Sequence, residues 1–485
     1  MEQSTAVFMT LVAYNLVLIA IGLWASKRSQ STEDFFLGGQ NLGPVVAGIS
    51  SSASAASAWS LLGASGATYV WGLSMLWLFP AILAGYLFNW LWLAPRLRQF
   101  SREHQVVTLT DVLIHSAGPY RNPLTMLCSF IVVFSFTFYV ASQFQAAGGT
   151  FASAFGIEMR TAVVLGAAII LVYTLLGGFW AACVTDAVQG VLMMLVAVLL
   201  PAAALLQVGG FSELWRGLQL HSTPQQLSWL GGHSGIVAVG FLLGTLGVGL
   251  GNPGQPHVVN RFMALRDDPH GSRRHLRLAQ WVGILWPASV FGGMLLLGLC
   301  ARVLLADTHS TTQDPEQVFF LVSGELFNPV LVGIVTAAVL SAIMSTADSQ
   351  LLVSASSLSY DLNKKLSPDK ALRRSRMAVA MICLASALIA LYAPAAIFSR
   401  VLFAWSAIGA AFGPLLIVLL SGCRIAPLYC LLSVACGFVL TVIFNWLPSP
   451  PGDYLERVLP FAVALLLAWM GREPSTVRLT QAAKT

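Results

Sequence analysis

Apolar stretches long enough to cross a lipid bilayer recur along almost the whole chain. A membrane helix needs about 20 mainly apolar residues. Thirteen such segments can be marked, near residues 5–26, 43–64, 68–95, 123–150, 160–178, 181–206, 235–256, 278–301, 328–350, 377–393, 399–422, 425–447 and 454–471. The loops between them, such as roughly 96–122, are too short for a soluble catalytic domain. Only 9% of the 485 residues are charged, against about 25% in an ordinary soluble domain. So few charges cannot cover a water-facing surface of this size, and most of the exterior must face lipid. The expectation is an all-α integral membrane protein with 13 transmembrane helices.

The net charge of +6 could suggest a nucleic-acid partner, but the basic residues lie in short loops between apolar runs. With the N-terminus outside, 21 of the 26 Lys and Arg residues fall on the inner side, leaving Arg160, Arg216, Arg302, Arg400 and Arg457 outside. That asymmetry follows the positive-inside rule and predicts an external N-terminus and a cytoplasmic C-terminus. The first span has no basic flank, so a cleavable signal peptide is not expected. Six of the seven cysteines sit inside apolar runs and read as small core side chains.

Of the 20 acidic residues, Asp186 and Asp348 fall within spans, and no Lys or Arg is expected to be buried. A carboxylate inside a membrane helix costs about 2.5–3.5 kcal/mol even on the mildest scale. It therefore lines a cavity, meets a cation, or sits near a helix end and reaches water. The ninth span crowds Ser345, Thr346, Asp348 and Ser349 into five positions, with Ser345, Asp348 and Ser349 on one face. These are hard oxygen donors suited to Na⁺. The bland alternative is hydroxyls bonding back to their own helix.

Two further spans suggest interrupted helices. The second, from Gly48 to Trp59, is nearly all small residues, among them Ser50, Ser51, Ser52, Ser54 and Ser57. Small residues allow close helix packing, but this serine density, with Gly48 and Gly63 at its flanks, also suits a helix that opens midway. The seventh holds Gly247, Gly249, Gly251 and Gly254 with Pro253 and Pro256. Its G-x-G-x-x-G pattern is not read as a dinucleotide site, because no βαβ unit surrounds it. Broken helices near the midplane are where transporters hold ions and substrates, and these two lie five spans apart, as in two inverted five-helix repeats. No H-E-x-x-H, G-x-S-x-G or C-x-x-C is present, and the histidines are scattered. Asp186 and Asp348 also lack the Gly-x-Gly-Asp setting of an intramembrane aspartyl protease, so no enzyme is expected.

From about residue 5 to 471 the chain resembles the sodium:solute symporter family, and among its members the bacterial sodium/proline symporters. The similar stretches are Glu33–Gly39, Gly177-Gly178-Phe179 with Thr185-Asp186, Gly254–His257 with Arg261–Ala264, Asn328-Pro329, Met344–Thr346 with Asp348–Leu352, and Gly409–Pro414. The resemblance implies a LeuT-like core of two inverted repeats. On this chain they would be 43–206 and 207–422, preceded by a first helix and loop at 1–42 and followed by two helices and a tail at 423–485. It implies a sodium site from the carbonyls of Ala53, Ala56 and Ala342 and the hydroxyls of Ser345 and Thr346. A second sodium site, as in some members, would use Asp186, Ser345, Asp348 and Ser349. The implied solute site comprises Ser57, Ala58, Tyr139, Gln143, Val248, Asn252 and Gln255.

Ala55, Gln40, Val248 and Asn252 depart from the proline-symporter pattern, which points away from proline itself and toward a more polar pocket. The expected function is sodium-coupled import of a small organic solute of the proline-like amino-acid class by alternating access, through a bacterial inner membrane. The alternatives are a proton-coupled or uncoupled carrier and a transporter-like membrane sensor. The partners are the solute, Na⁺ and the lipid bilayer, with no other cofactor, no nucleic acid and no obligate protein partner.

Overall fold

The computed structural model describes residues 3–26, 40–176, 178–268, 273–306, 314–362, 368–393, 395–448 and 450–473. The family-like stretch Glu33–Gly39 and Gly177 lie outside them. The chain is a multi-pass bundle of helices, of which these are numbered here in order: α1 (Gln3–Ser26), α2 (Pro44–Ala58), α3 (Ala64–Trp71), α4 (Leu78–Leu87), α5 (Ala94–His104), α6 (Arg121–Phe155), α7 (Met159–Leu176), α8 (Phe179–Val208), α9 (Gly235–Gly247), α10 (Pro256–Ala264), α11 (Arg274–Leu304), α12 (Pro329–Ser356), α13 (Pro368–Tyr392), α14 (Ile397–Leu420), α15 (Pro427–Asn445) and α16 (Leu459–Met470). Among the described residues the β-structure is a two-residue ribbon, Arg424–Ile425 against Arg472–Glu473, and an isolated bridge between Leu42 and Leu265.

Nine segments of the described residues are long and apolar enough to span a membrane, with shorter apolar stretches at Val7–Ile21 and Met159–Leu175. One of the nine, Pro44–His104, is 61 residues long. As a straight helix it would measure about 90 Å, three times a bilayer core of about 30 Å. It turns back at Gly72, whose φ of 68° is in the region that favours glycine. Both ends then return to one place. Leu42 donates its N–H to the carbonyl of Ala264 at 3.0 Å, and Arg98 Nε donates to the carbonyl of Leu265 at 3.3 Å. The segment therefore makes two passes.

Burial separates the core from the wrapping. In α12 and α14 the apolar windows are 83% and 89% buried, against 33% in α8 and in α15. Helix α2 packs against α8, α11 and α12, and its small residues make that approach possible. A Cβ on Gly190 of α8 would lie 2.4 Å from Ile49 Cγ2, so the Ile49 side chain packs directly on the α8 backbone. Ser52 adds a hydrogen bond from its hydroxyl to the carbonyl of Gly283 on α11 at 3.1 Å.

Candidate ion and solute site

Helix α2 ends because Ser57 leaves helical geometry, at φ 51° and ψ −178°. Non-glycine residues avoid this region at a cost of about 1–3 kcal/mol. The surroundings hold it there. Ser57 Oγ accepts the Trp59 N–H at 3.1 Å and the Tyr139 hydroxyl at 3.3 Å. The N–H of Ala58 is accepted by Gln143 Oε1 at 3.1 Å, and the carbonyl of Ser57 accepts the Ser60 hydroxyl at 2.9 Å. Backbone groups freed at membrane depth are thus paired from within the protein, the condition for a broken helix there. The chain then continues through a wide turn, Trp59–Gly63, into α3.

The second interruption is longer. Helix α9 stops at Gly247, Val248–Gly254 form a tight 3₁₀ segment, Gln255 is extended, and α10 begins with Pro256. Glycine is needed here for close approach. A Cβ on Gly249 would lie 2.2 Å from the carbonyl oxygen of Ala81, and one on Gly251 would lie 2.1 Å from Trp405 Nε1. The unwound carbonyls are met by side chains. Trp405 Nε1 donates to Val248, Asn89 Nδ2 to Asn252, and Gln255 Nε2 to Gly251 and Trp405, at 2.9–3.1 Å.

A pocket lies between the interruptions, lined by Ala55, Trp59, Ile82, Tyr86, Tyr139, Val248, Asn252, Phe291, Val401, Leu402 and Trp405. Of the expected solute residues, Tyr139, Val248 and Asn252 are on this wall. Ser57, Ala58 and Gln143 are engaged in stabilising the first break, and Gln255 is bound to backbone carbonyls. The expected polar pocket is therefore corrected to an aromatic one, with rings from five different segments. Spacing in sequence could not reveal this, because an aromatic residue in a membrane helix reads equally well as lipid-facing. The cavity is about 20 Å³, room for about one water molecule, so binding a solute requires the walls to part.

Next to the break at Ser57 the expected sodium ligands are partly assembled. Ser345 Oγ lies 3.3 Å from both the carbonyl of Ala53 and that of Ala342. These distances are long for a hydroxyl hydrogen bond, which prefers about 2.7–2.8 Å. The Thr346 hydroxyl donates to the carbonyl of Ser54 at 2.9 Å, while the Ala56 carbonyl accepts the N–H of Trp59. Ser54 Oγ is buried and has no hydrogen-bond partner among the described residues. This oxygen-rich junction of α2 and α12 has the chemistry of a small hard cation. Among the described residues, no three His, Cys, Asp or Glu side chains gather as a metal cluster would require.

The expectation of no buried basic residue is overturned by Arg261 of α10, which is 1% exposed. Its Nη2 lies 2.8 Å from Asp186 Oδ2 and 2.6 Å from Ser349 Oγ. Its Nε donates to Ser50 Oγ at 2.8 Å, and Ser50 donates onward to Asp186 at 2.9 Å. Nη1 bonds the carbonyl of His257, and the guanidinium sits 5.3 Å from the Phe179 ring centre. One side chain thus joins α2, α8, α10 and α12. The residues expected to form a second sodium site are divided by it. Asp186 and Ser349 face the guanidinium, Ser345 faces the carbonyls of Ala53 and Ala342, and Asp348 Oδ1 is buried with no hydrogen-bond partner among the described residues. His257 is buried too, with Phe136 5.1 Å away, whereas its sequence position reads as a span end.

Two interrupted helices around a buried pocket define a transporter core of the LeuT-like type. The sodium:solute symporter family model matches residues 35–425, and the chain belongs to that family. The osmoregulated proline transporter OpuE of Bacillus subtilis (strain 168) is 32% identical over 474 residues, spanning 96% of this chain and 94% of the relative. The high-affinity proline transporter PutP of the same organism is 32% identical over 458 residues, with 93% and 94% covered. A sodium/proline symporter of Staphylococcus aureus (strain JH9) is 31% identical, with 84% and 80% covered. The fold is shared with a substrate-bound, outward-open Na⁺-coupled sialic acid symporter, at a TM-score of 0.76 and 17% identity over 96% of this chain and 97% of that one. It is shared as well with Mhp1, a nucleobase-cation-symport-1 family transporter, in a closed conformation, at a TM-score of 0.57 and 16% identity over 90% and 94%.

Proposed function

We propose that the chain is a sodium-coupled symporter importing a small organic solute of the proline-like amino-acid class by alternating access. Its setting is a bacterial plasma membrane, with the N-terminus outside and the C-terminus in the cytoplasm. It acts as a carrier and not as an enzyme. The observation that carries the reading is the junction of Ser345 Oγ with the carbonyls of Ala53 and Ala342, beside the break at Ser57. A sodium ion held there ties α12 to the α2 break, whose far side, at Ala55 and Trp59, walls the solute pocket. Ala53, Ala342 and Ser345 are the proposed ligands, with Ala56 and Thr346 completing the set once the junction tightens. One ion per cycle is favoured, because the fixed guanidinium of Arg261 already neutralises Asp186.

The solute would lie among Tyr139, Val248, Asn252 and the surrounding rings, an apolar wall with few polar groups, as amino-acid side chains of the proline class require. One sodium ion moving through ~100 mV gains about 2.3 kcal/mol, and a tenfold gradient adds about 1.4 kcal/mol. One coupled ion can therefore sustain several hundredfold accumulation of a neutral solute. The test is uptake of labelled proline and other amino acids into sealed vesicles holding the purified protein, with sodium or choline outside. Strong dependence on sodium and on an inside-negative potential is expected. Equal uptake in choline would exclude sodium coupling and leave a proton-coupled or uncoupled carrier; absence of uptake for every amino acid would exclude the solute class.

A further inference from the structure

Two rings in contact, Trp59 and Phe398, stand between the solute pocket and a larger cavity of about 320 Å³. Phe398, at the start of α14, lines the larger cavity together with Trp71, His233, Asp453 and Arg457. On its other side it packs on Trp59, which walls the solute pocket, with ring centroids 5.8 Å apart. Trp71 packs edge-on against Phe398 at 5.5 Å. The backbone N–H of Phe398 is one of the unsatisfied donors of a helix's first turn. It is accepted by Glu316 Oε1 at 3.1 Å, from the short turn Pro315–Gln317. That turn lies against Gly66 of α3, where a Cβ would be 2.6 Å from the carbonyl oxygen of Pro315. A half-buried carboxylate outside the spans thus holds the helix end that carries the partition.

We propose that Phe398 is the outer gate of the solute pocket and that Glu316 is its positioning residue, closing the gate more firmly when protonated by external acid. The proposal rests on the orientation given above, which places this cavity on the external side. Burial, opposed by the Phe398 N–H, raises the Glu316 carboxyl from the usual 4.5 to about 7 in the closed arrangement. Asp314 on the same turn pushes in the same direction, and its own carboxylate accepts the Glu316 N–H. Around Glu316, Trp59–Gly63 and α3 contribute only Tyr69 as a titratable group. Glu325 is at the far end of the helix that follows. On α14, Arg400 is engaged by Gln145 and the carbonyl of Ala393.

The sign follows from linkage. The closed gate binds the proton more tightly than an open gate whose Glu316 is hydrated. Opening therefore becomes easier as external pH rises from about 4.5 to about 7, and levels off above that.

The test uses the full chain in sealed vesicles, with Val401→Cys as a reporter on the pocket wall. A membrane-impermeant methanethiosulfonate is added outside. Rates are normalised at each pH to Leu220→Cys, an exposed position on the same side, with background taken from the chain lacking both. Labelling of Val401→Cys is expected to rise about tenfold or more between external pH 5.5 and 8, from a pKa difference of this size. Adding Glu316→Gln should hold it at the low, acid rate throughout, and adding Phe398→Ala should make it fast and independent of pH. A pH profile surviving in Glu316→Gln, a flat profile in its presence and absence alike, or unchanged labelling in Phe398→Ala would each overturn the proposal. Failure of Leu220→Cys to label from outside would overturn the orientation, and with it the assignment of Glu316 to an outer gate.

Discussion

The two helix interruptions that frame the pocket are built in opposite ways. The second occupies eight residues, 248–255, with three glycines and a proline among them, and is followed by Pro256. Its sequence cannot form a continuous helix, since proline removes a donor and glycine weakens a helix interior. The first turns on Ser57 alone, in a run of serines and alanines with no proline. Left to itself, that run is compatible with unbroken helix. Its break is imposed by α6, whose Gln143 accepts the Ala58 N–H that a continuous helix would have bonded internally and whose Tyr139 hydroxyl donates to Ser57 Oγ. The second break is therefore a property of its own residues, and the first is a property of the assembled bundle. The proposed ion junction lies on the imposed one, where small changes in packing alter the backbone.

Four sets of substitutions bear on that contrast. The largest effect is expected from Arg261→Gln, because Arg261, beyond the second break, is bonded to Ser50, ahead of the first. Removing one partner of a buried ion pair costs about 3–5 kcal/mol, so the Tm of the purified protein should fall sharply. Asp186→Asn combined with Arg261→Gln should recover part of the loss, and an unchanged Tm in the single variant would show that the pair contributes little to stability.

Gly249→Ala comes next. Its Cβ would meet the Ala81 carbonyl, a backbone atom, at 2.2 Å, and overpacking of this kind costs about 1–3 kcal/mol. Thermal unfolding and uptake should both suffer, whereas a variant as stable as the parent would mean that this break has slack.

Ser345→Ala and Thr346→Ala are expected to raise the sodium concentration for half-maximal uptake about tenfold, the equivalent of about 1.4 kcal/mol. Their effect on Tm should be small. Unchanged sodium dependence in both would assign these hydroxyls to packing.

The smallest effect discriminates by sign. Ser57→Ala keeps the strained backbone and loses two hydrogen bonds, a loss of about 1–2 kcal/mol. Ser57→Gly loses the same bonds but relieves about 1–3 kcal/mol of strain, so it should be the more stable of the two. The reverse order in thermal unfolding would mean that the break is not held against strain.

What could be read from the residues follows the same division. Lipid-facing helices, the interrupted seventh span and the oxygen-rich stretch at Ser345 and Thr346 are legible because each depends on local composition, whereas the break at Ser57 was one of two readings that its small residues allowed. A long apolar run has no alternative to membrane or core, and Gly249-Leu250-Gly251-Asn252-Pro253 has no alternative to an interrupted helix. The aromatic wall of Trp59, Tyr86, Tyr139, Phe291 and Trp405 was not legible, since five separate segments supply one ring each.

Arg261 marks the limit most clearly. In sequence it follows Pro256 near a basic loop and counts among the positive charges of the inner side. Only tertiary structure sets it against Asp186, 75 residues earlier, and Ser349, 88 residues later. The sequence by itself determined that this chain lives in a membrane and where its seventh span must break. Folding decided which buried charge meets which, because a buried charge is tolerable only beside its partner, and partnership is a matter of distance in space.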